Sequence, residues 1–123
     1  MDPQSHERAP FIVEVRAEDD IPVVAVTGEI DLSNEDVTQA EISGQLDRRP
    51  PLLVIDLRKV TFLGSAGVRL LLDNHMTATG SGIRLPIVAN QRAVLRTLAV
   101  TEIDRVLELI TDPTEPFAQL VRG

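Results

Sequence analysis

Cysteine is absent from the 123 residues, and aromatic residues are scarce, with three phenylalanines and neither tryptophan nor tyrosine. The absence of cysteine excludes a disulfide framework, a thiolate zinc site and a cysteine nucleophile. The shortage of aromatic side chains excludes a stacking platform for bases or sugars. The core must therefore be built from aliphatic side chains, and a chain without cysteine fits a cytoplasmic location.

Long apolar runs and an excess of positive charge are missing as well. Runs such as residues 70–72 are far shorter than the ~20 residues of a membrane-spanning helix, and no basic-then-apolar signal opens the chain. The net charge of −7 argues against direct nucleic-acid binding, although residues 51–100 carry six basic and two acidic residues. We expect neither a membrane nor a nucleic acid as a partner.

The composition that remains fits one folded domain. Hydrophobic residues make up 43% and charged residues 25% of the chain, which is enough for a single core of ordinary composition. The first ten residues are polar and contain two prolines, which is typical of a frayed leader. We therefore predict a flexible leader over residues 1–10 and one domain over residues 11–123.

Apolar segments of strand type alternate with segments of helical type. Strands are predicted over 11–15, 22–29, 52–55, 83–89 and 106–110. Helices are predicted from Ser33 or Asn34 to Asp47, from about Ser65 to Gly80, and over 91–99 and 117–121. The first two strands form a hairpin and the later ones are joined by helical crossovers, which predicts an α/β fold with a mixed, mostly parallel sheet.

Ser65 follows a strand and opens a helix, a place where α/β proteins collect functional groups. Serine is also a preferred N-cap, so a purely structural role is the alternative. Gly64 and Gly67 let the backbone pass closely, and Ala66 leaves the hydroxyl unshielded, so that a kinase could reach it. A phosphate there suits a helix N-terminus but disturbs the docking of a second protein.

Enzyme functions fit the sequence less well. No P-loop motif occurs, and the only lysine is Lys59. A hydrolase nucleophile elbow needs glycine two residues before the serine, where this chain has Leu63. His75 lies ten residues beyond Ser65, roughly 15 Å along the helix, and no second histidine is spaced to share a metal with it. We expect a non-enzyme without cofactor or metal, with His75 at the surface or its boundary.

Asp31 and Asp56 are both predicted to end strands at the same edge of the sheet. Two carboxylates there could hold magnesium or contact a kinase. Their alternative role is loop solvation and helix capping, which we prefer for Asp56. For Asp31 both interpretations stay open.

Three segments together resemble the STAS-domain anti-sigma factor antagonists of bacteria, in matching order and spacing over about residues 11–120. These segments are VTGEIDL (26–32), LVIDL (53–57) and VTFLGSAGV (60–68). The resemblance implies a cytoplasmic protein, a monomer or weak dimer, that binds an anti-sigma factor with a histidine-kinase-like ATPase fold and thereby frees a sigma factor. It also implies that the anti-sigma factor phosphorylates the antagonist in return.

The family's motifs assign roles to particular positions of this chain. Ser65 matches the phosphoacceptor serine, and Asp31 matches an aspartate near the partner's nucleotide site. The residues expected to bind the partner are Asp31, Gly64, Ser65, Ala66, Gly67 and Arg69.

Two positions depart from the family pattern. Gly64 stands where many members have an aspartate, and Glu102 stands where many have glycine. The change at Gly64 removes a carboxylate that could orient the hydroxyl. It therefore favours an alternative in which the chain is a scaffold subunit of a lipid transporter or stress-sensing assembly and Ser65 is only a cap.

Overall fold

A computed structural model of the protein describes residues 10–111, which form five strands, three α-helices and one short 3₁₀ helix. In chain order these are β1 (Ile12–Glu18), β2 (Ile21–Ile30), α1 (Glu35–Asp47), β3 (Val54–Leu63), α2 (Ser65–Gly80), β4 (Ile87–Val88), α3 (Arg92–Val100), the 3₁₀ helix (Ile103–Arg105) and β5 (Leu109–Ile110). The helix predicted over 117–121 and residues 1–9 of the predicted leader lie outside the described residues.

The five strands form one sheet in the order β1-β2-β3-β4-β5. β1 pairs antiparallel with β2, and the other neighbouring pairs are parallel. The hairpin turn is made by Asp19 and Asp20, both with positive φ angles, which aspartate tolerates better than most residues. The predicted hairpin and the predicted mixed sheet are confirmed.

The lengths of the later strands differ from the prediction. β3 continues to Leu63 instead of ending at residue 55, whereas the segment predicted as strand over 83–89 pairs continuously only at Ile87–Val88. Leu85 is 4% exposed although it lies outside a strand. The apolar residues of the segment 83–89 are therefore buried without forming a regular strand. An apolar run alone does not distinguish the two cases, so the predicted strand was too long.

Two register shifts interrupt the alternation of side chains along β3. As a result, its core-facing residues are spaced by two, three and three positions, namely Ile55, Leu57, Val60 and Leu63. Each extra residue places two consecutive side chains away from that core, as β-bulges do. Arg58 and Lys59 consequently line the same pocket, and Thr61 and Phe62 are both exposed.

The larger of two apolar clusters packs the three helices onto the sheet. The helices contribute Ile42 and Leu46, then Leu70, Leu71 and Ala78, then Val94 and Leu98. A smaller cluster on the other face takes one residue from each of β2 to β5, namely Val23, Val54, Val88 and Ile110. The sheet is thus buried on both faces at its centre, as expected of strands in a mostly parallel sheet.

A pair of amides, one buried and one half-buried, fixes α2 against α1. Asn74, which is 3% exposed, donates a hydrogen bond to the Gln39 side chain at 2.8 Å and accepts one from it at 3.0 Å. The same Asn74 amide donates to the backbone carbonyl of Leu70 at 2.7 Å. A buried amide without hydrogen-bond partners destabilises a fold. These hydrogen bonds between Asn74 and Gln39 therefore favour one relative position of the two helices.

Candidate functional site

The candidate site lies where two neighbouring parallel strands end. Ile30 of β2 is in register with Leu63 of β3, and the Gly64 N–H donates a hydrogen bond to the Ile30 carbonyl at 3.1 Å. The residues that follow each strand therefore meet. They line a shallow cleft of about 360 Å³, here called the Ser65 cleft, which consists of Asp31, Leu32, Ser33, Gly64, Ser65 and Ala66.

Ser65 is the first residue of α2 and is exposed. Gly64, in an extended conformation, occupies the N-cap position, so the alternative in which Ser65 is the N-cap is wrong. No side chain caps this helix, and within residues 10–111 the Ser65 hydroxyl makes no hydrogen bond. The hydroxyl is therefore both accessible and uncommitted.

Gly67 brings the first turn of α2 into close contact with both strand ends. A Cβ atom at this position would lie 2.4 Å from Leu63 Cδ1 and 3.2 Å from Ile30 Cγ2. The prediction of a close backbone approach at Gly67 is confirmed. At Gly64 it is wrong, because a Cβ there would have its nearest contacts at 3.5 and 3.6 Å, which are ordinary van der Waals distances.

Hydrogen bonds fix the turn that carries Asp31. Asp31 Oδ1 accepts bonds from the Ser33 backbone N–H at 2.9 Å and from the Ser33 hydroxyl at 2.6 Å, as in an Asx turn. Asn34 is the N-cap of α1, which confirms one of the two predicted alternatives, Ser33 or Asn34. Its side chain nevertheless bonds back to Asp31 N–H and to the Glu29 carbonyl rather than to the first turn of the helix.

Two exposed apolar residues, Leu32 in the cleft and Phe62 beside it, were not identified from the sequence. Leu32 is 77% exposed, and Phe62 is 49% exposed with its ring next to Gly64. A leucine directly after Asp31, the residue that follows β2, was an available signal for Leu32. The exposure of Phe62 results from the second bulge, for which the sequence has no local signal. Exposed apolar side chains bordered by polar and charged residues are typical of protein-contact surfaces.

The predicted partner-binding residues fall into three positions. Asp31, Gly64, Ser65 and Ala66 line the cleft. Arg69 is exposed one helical turn beyond Ser65, and Gly67 is buried beneath the cleft. The structure thus brings the set together, with Gly67 in a supporting role.

Asp56 lies elsewhere, and its predicted position at a strand end is wrong. β3 continues for seven residues beyond it, so Asp56 sits inside the strand and is 6% exposed. Its carboxylate is held by Arg16 Nη2 at 2.9 Å and by Arg58 through Nε at 3.0 Å and Nη2 at 2.9 Å. These three residues, here called the Asp56 network, line a separate pocket of about 600 Å³.

The Asp56 network keeps its charges paired. Burial by itself raises the pKa of Asp56, but hydrogen bonds from the Arg58 side chain and backbone, together with the Arg16 side chain, outweigh burial and hold that pKa below its ordinary value. Hydrogen bonding to Asp56 in turn raises the pKa of Arg58. An ion pair of this kind stays charged throughout the physiological range.

The described part of the chain offers no cluster of metal-binding side chains. Residues 10–111 contain no group of three or more histidine, aspartate and glutamate side chains that could hold a metal ion. His75 is half-buried on α2, at the boundary where it was predicted.

Within the same range, no helix has the length and apolar character needed to cross a membrane.

Comparison with known proteins identifies the fold that carries this cleft. The STAS domain profile matches residues 13–118. The chain belongs to the STAS-domain family. This membership confirms the resemblance read from the three sequence segments, and the anti-sigma factor antagonists of the family are regulatory binding proteins rather than enzymes.

Individual relatives agree with the family match. The chain is 29% identical over 91 residues to the anti-sigma-F factor antagonist RsfB of Mycobacterium tuberculosis, which is 74% of each protein. A crystal structure of an anti-sigma factor antagonist from Mycobacterium paratuberculosis is 30% identical with a TM-score of 0.82, covering 94% of this chain and 99% of that one. SpoIIAA in its unphosphorylated form is 18% identical and shares the fold, with a TM-score of 0.72 and coverage of 93% and 97%.

Proposed function

We propose that this STAS domain is an anti-sigma factor antagonist switched off by phosphorylation of Ser65. In this function it binds, in the cytoplasm, an anti-sigma factor with a histidine-kinase-like ATPase fold and so releases a sigma factor for transcription. The observation that carries the proposal is the Ser65 hydroxyl, which is exposed and unbonded within the described residues. The names of the relatives, which are anti-sigma factor antagonists, support the class of partner.

The surroundings of Ser65 suit docking of a protein. Leu32 in the cleft and Phe62 next to Gly64 offer exposed apolar area, and full burial of such a side chain contributes about 1.5–3 kcal/mol. Asp31, fixed by Ser33, and the exposed Arg69 add charges of opposite sign around the cleft. This combination of an apolar centre with a charged rim is the usual composition of a specific interface.

The switching reaction needs only a nucleophile from this chain. Ser65 Oγ attacks the γ-phosphorus of an ATP molecule held by the partner. A new O–P bond forms, the bond from that phosphorus to ADP breaks, and the hydroxyl proton passes to a base of the partner. Gly64 offers no carboxylate beside the hydroxyl, so Asp31 is the acid of this chain that lines the cleft with Ser65.

The phosphate would change binding without unfolding the domain. It adds about 1.5 to 2 negative charges at the first turn of a sixteen-residue helix, where the aligned peptide dipoles favour an anion. The phosphate would share the cleft with Asp31, in a surface that must lose its water on docking. Docking is therefore opposed by repulsion and by the cost of desolvating the phosphate.

Mass spectrometry of the intact protein tests the phosphorylation site. The domain is incubated with ATP and the ATPase-fold anti-sigma factor from its own organism. We expect one phosphoryl group on the natural chain and none on the Ser65→Ala variant. Ser81→Ala is the matched control, because Ser81 follows the last turn of the same helix, and it should be modified like the natural chain. A phosphoryl group on Ser65→Ala, or none on the natural chain, contradicts the proposal.

The scaffold-subunit alternative is favoured by one observation, the glycine at position 64 in place of an acid. A pull-down from the native cell separates the two functions. Recovery of an ATPase-fold anti-sigma factor supports the antagonist, and recovery of a transporter or a stress-sensing assembly supports the scaffold.

A further inference from the structure

Arg69 stands one helical turn beyond Ser65, at position i+4 of the same helix, and both residues are exposed. Side chains four residues apart lie on one helix face, and helical side chains lean toward the N-terminus. A side chain as long as that of arginine at position 69 can therefore reach back over the turn that begins with Ser65. Within residues 10–111, Arg69 forms no ion pair and no hydrogen bond.

We propose that Arg69 binds the phosphate of phosphorylated Ser65 and holds it on the exposed face of α2. This inference rests on the proposed function and names the residue that receives the modification. A guanidinium group presents two parallel N–H donors that match two phosphate oxygens, a pairing stronger than one between neutral groups.

The neighbouring charges favour this pairing over the alternatives. Asp31 lines the cleft together with Ser65, and its carboxylate would repel the phosphate and not bind it. On α2 itself, Asp73 is the acid four residues beyond Arg69. An acid placed before its base along a helix pairs better than one placed after it, and a phosphate carries more charge than a carboxylate. Arg69 should therefore bind the phosphate in preference to Asp73.

This pairing would make one modification change two parts of the contact surface. In the unmodified chain Arg69 offers a positive charge to a partner, next to the cleft that holds Ser65. After phosphorylation that charge is engaged within the chain, and the cleft becomes negative. The loss of binding is then larger than the added negative charge alone would cause.

A titration of the phosphate by ³¹P NMR tests the inference without any kinase. Phosphoserine is installed at position 65 by genetic code expansion in the full chain, alone and together with Arg69→Gln or Arg96→Gln. Arg96→Gln is the matched control, because Arg96 is an exposed arginine on α3 and the change removes the same charge. Removing a neighbouring cation disfavours the dianion, so we expect Arg69→Gln to raise the phosphate pKa by about 0.3. Arg96→Gln should leave it unchanged.

Equal titration curves for the Arg69→Gln and Arg96→Gln proteins would overturn the inference. An Arg69→Lys protein sharpens the result, because it keeps the charge but loses the paired donors and should titrate between the natural chain and Arg69→Gln. Failure here is separate from failure of the proposed function, since that function is tested by enzymatic modification of the unmodified hydroxyl.

Discussion

The Ser65 cleft and the Asp56 network are both polar regions of β3 or its immediate continuation, yet they are built in opposite ways. Asp56 is 6% exposed and accepts four hydrogen bonds from Arg16 and Arg58. Ser65 is exposed, and its hydroxyl is unbonded within the part of the chain that the structure describes. The comparison teaches that the paired charges around Asp56 stabilise the fold. The group available for chemistry is instead the Ser65 hydroxyl, which has no hydrogen-bond partner among the described residues.

The difference has a physical basis. A buried carboxylate is tolerated only when its charge is matched, so each member of the Asp56 network constrains the others. A hydroxyl in water at a helix end makes no such demand, and it can accept a phosphoryl group without breaking an interaction within the described fold. The two regions should consequently respond differently to mutation.

The largest effect is expected from Asp56→Asn. The neutral amide leaves two arginine charges without their shared carboxylate, and because those side chains are 31% and 28% exposed, water compensates in part. We expect the free energy of unfolding to fall by about 2 kcal/mol, measured by urea denaturation. Asp73→Asn, at an exposed site on α2, is the control and should change it by less than about 0.5 kcal/mol.

Partner binding by the folded Asp56→Asn protein should be unchanged, since Asp56 does not line the Ser65 cleft. A weakening of binding comparable to that caused by changes at Ser65 would show that the two regions are not independent.

Lowering the pH should reduce the stability contributed by the Asp56 network, as Asp56→Asn does. The pKa of Asp56 is lower in the folded than in the unfolded chain, so its stabilisation is fully present above the unfolded value of about 3.9. That stabilisation is lost as the pH falls through the lower folded value. Urea denaturation between pH 5 and pH 2 should show a smaller loss in Asp56→Asn than in the natural chain. Parallel curves would contradict this role of Asp56.

A smaller effect is expected at the support of the cleft. Gly67→Ala places a methyl group against Leu63 and Ile30, which costs about 2 kcal/mol, and the better helix propensity of alanine returns about 1 kcal/mol. The net loss of stability should be about 1 kcal/mol. Gly44→Ala is the matched control in α1, where a Cβ would have no neighbour within 4 Å, and it should stabilise by about 0.5–1 kcal/mol. Equal effects of the two substitutions would contradict the close packing at Gly67.

The smallest effect on stability is expected from Gly64→Asp, which introduces the acid that the family resemblance implies at this position. The extended backbone at Gly64 accepts any residue. As an N-cap, aspartate stabilises a helix more than glycine does, by a few tenths of a kcal/mol. We expect a slight rise in the melting temperature and faster phosphorylation of Ser65, followed by intact mass over time. Unfolding of this variant would show that glycine is structurally required there.

The sequence predicted α1 and α2 well, because each has a clear beginning and an end marked by Arg49, Pro50 and Pro51 or by Gly80 to Gly82. It did not predict the length of β3, because Arg58 and Lys59 look like a polar loop when tertiary contacts are unknown. In the structure the first bulge places both along the pocket that the Asp56 network lines, and Arg16 of that network lies forty residues earlier than Asp56. A pairing so distant along the chain leaves no local pattern.

The site shows the same division. Ser65, Asp31 and Gly67 could be found from short motifs, because their roles depend on residue type and position at a strand end or helix start. Leu32 could also have been found, since a leucine directly after Asp31 was an available signal. Phe62 could not, because its exposure results from the second bulge in β3. Glu102 has a φ of +61°, a left-handed conformation that favours glycine, which is the residue that the family resemblance led us to expect there.

The central claim is that charge at Ser65 abolishes docking while the fold survives. The most direct measurement compares the unmodified chain with the chain carrying phosphoserine at position 65, using calorimetric titration against the anti-sigma factor and thermal unfolding of the same samples. We predict a Kd at least about 100-fold higher for the phosphorylated chain, equivalent to about 2.7 kcal/mol, with a melting temperature changed by no more than about 2 °C. Equal Kd values, or lost binding that accompanies unfolding, would contradict the account.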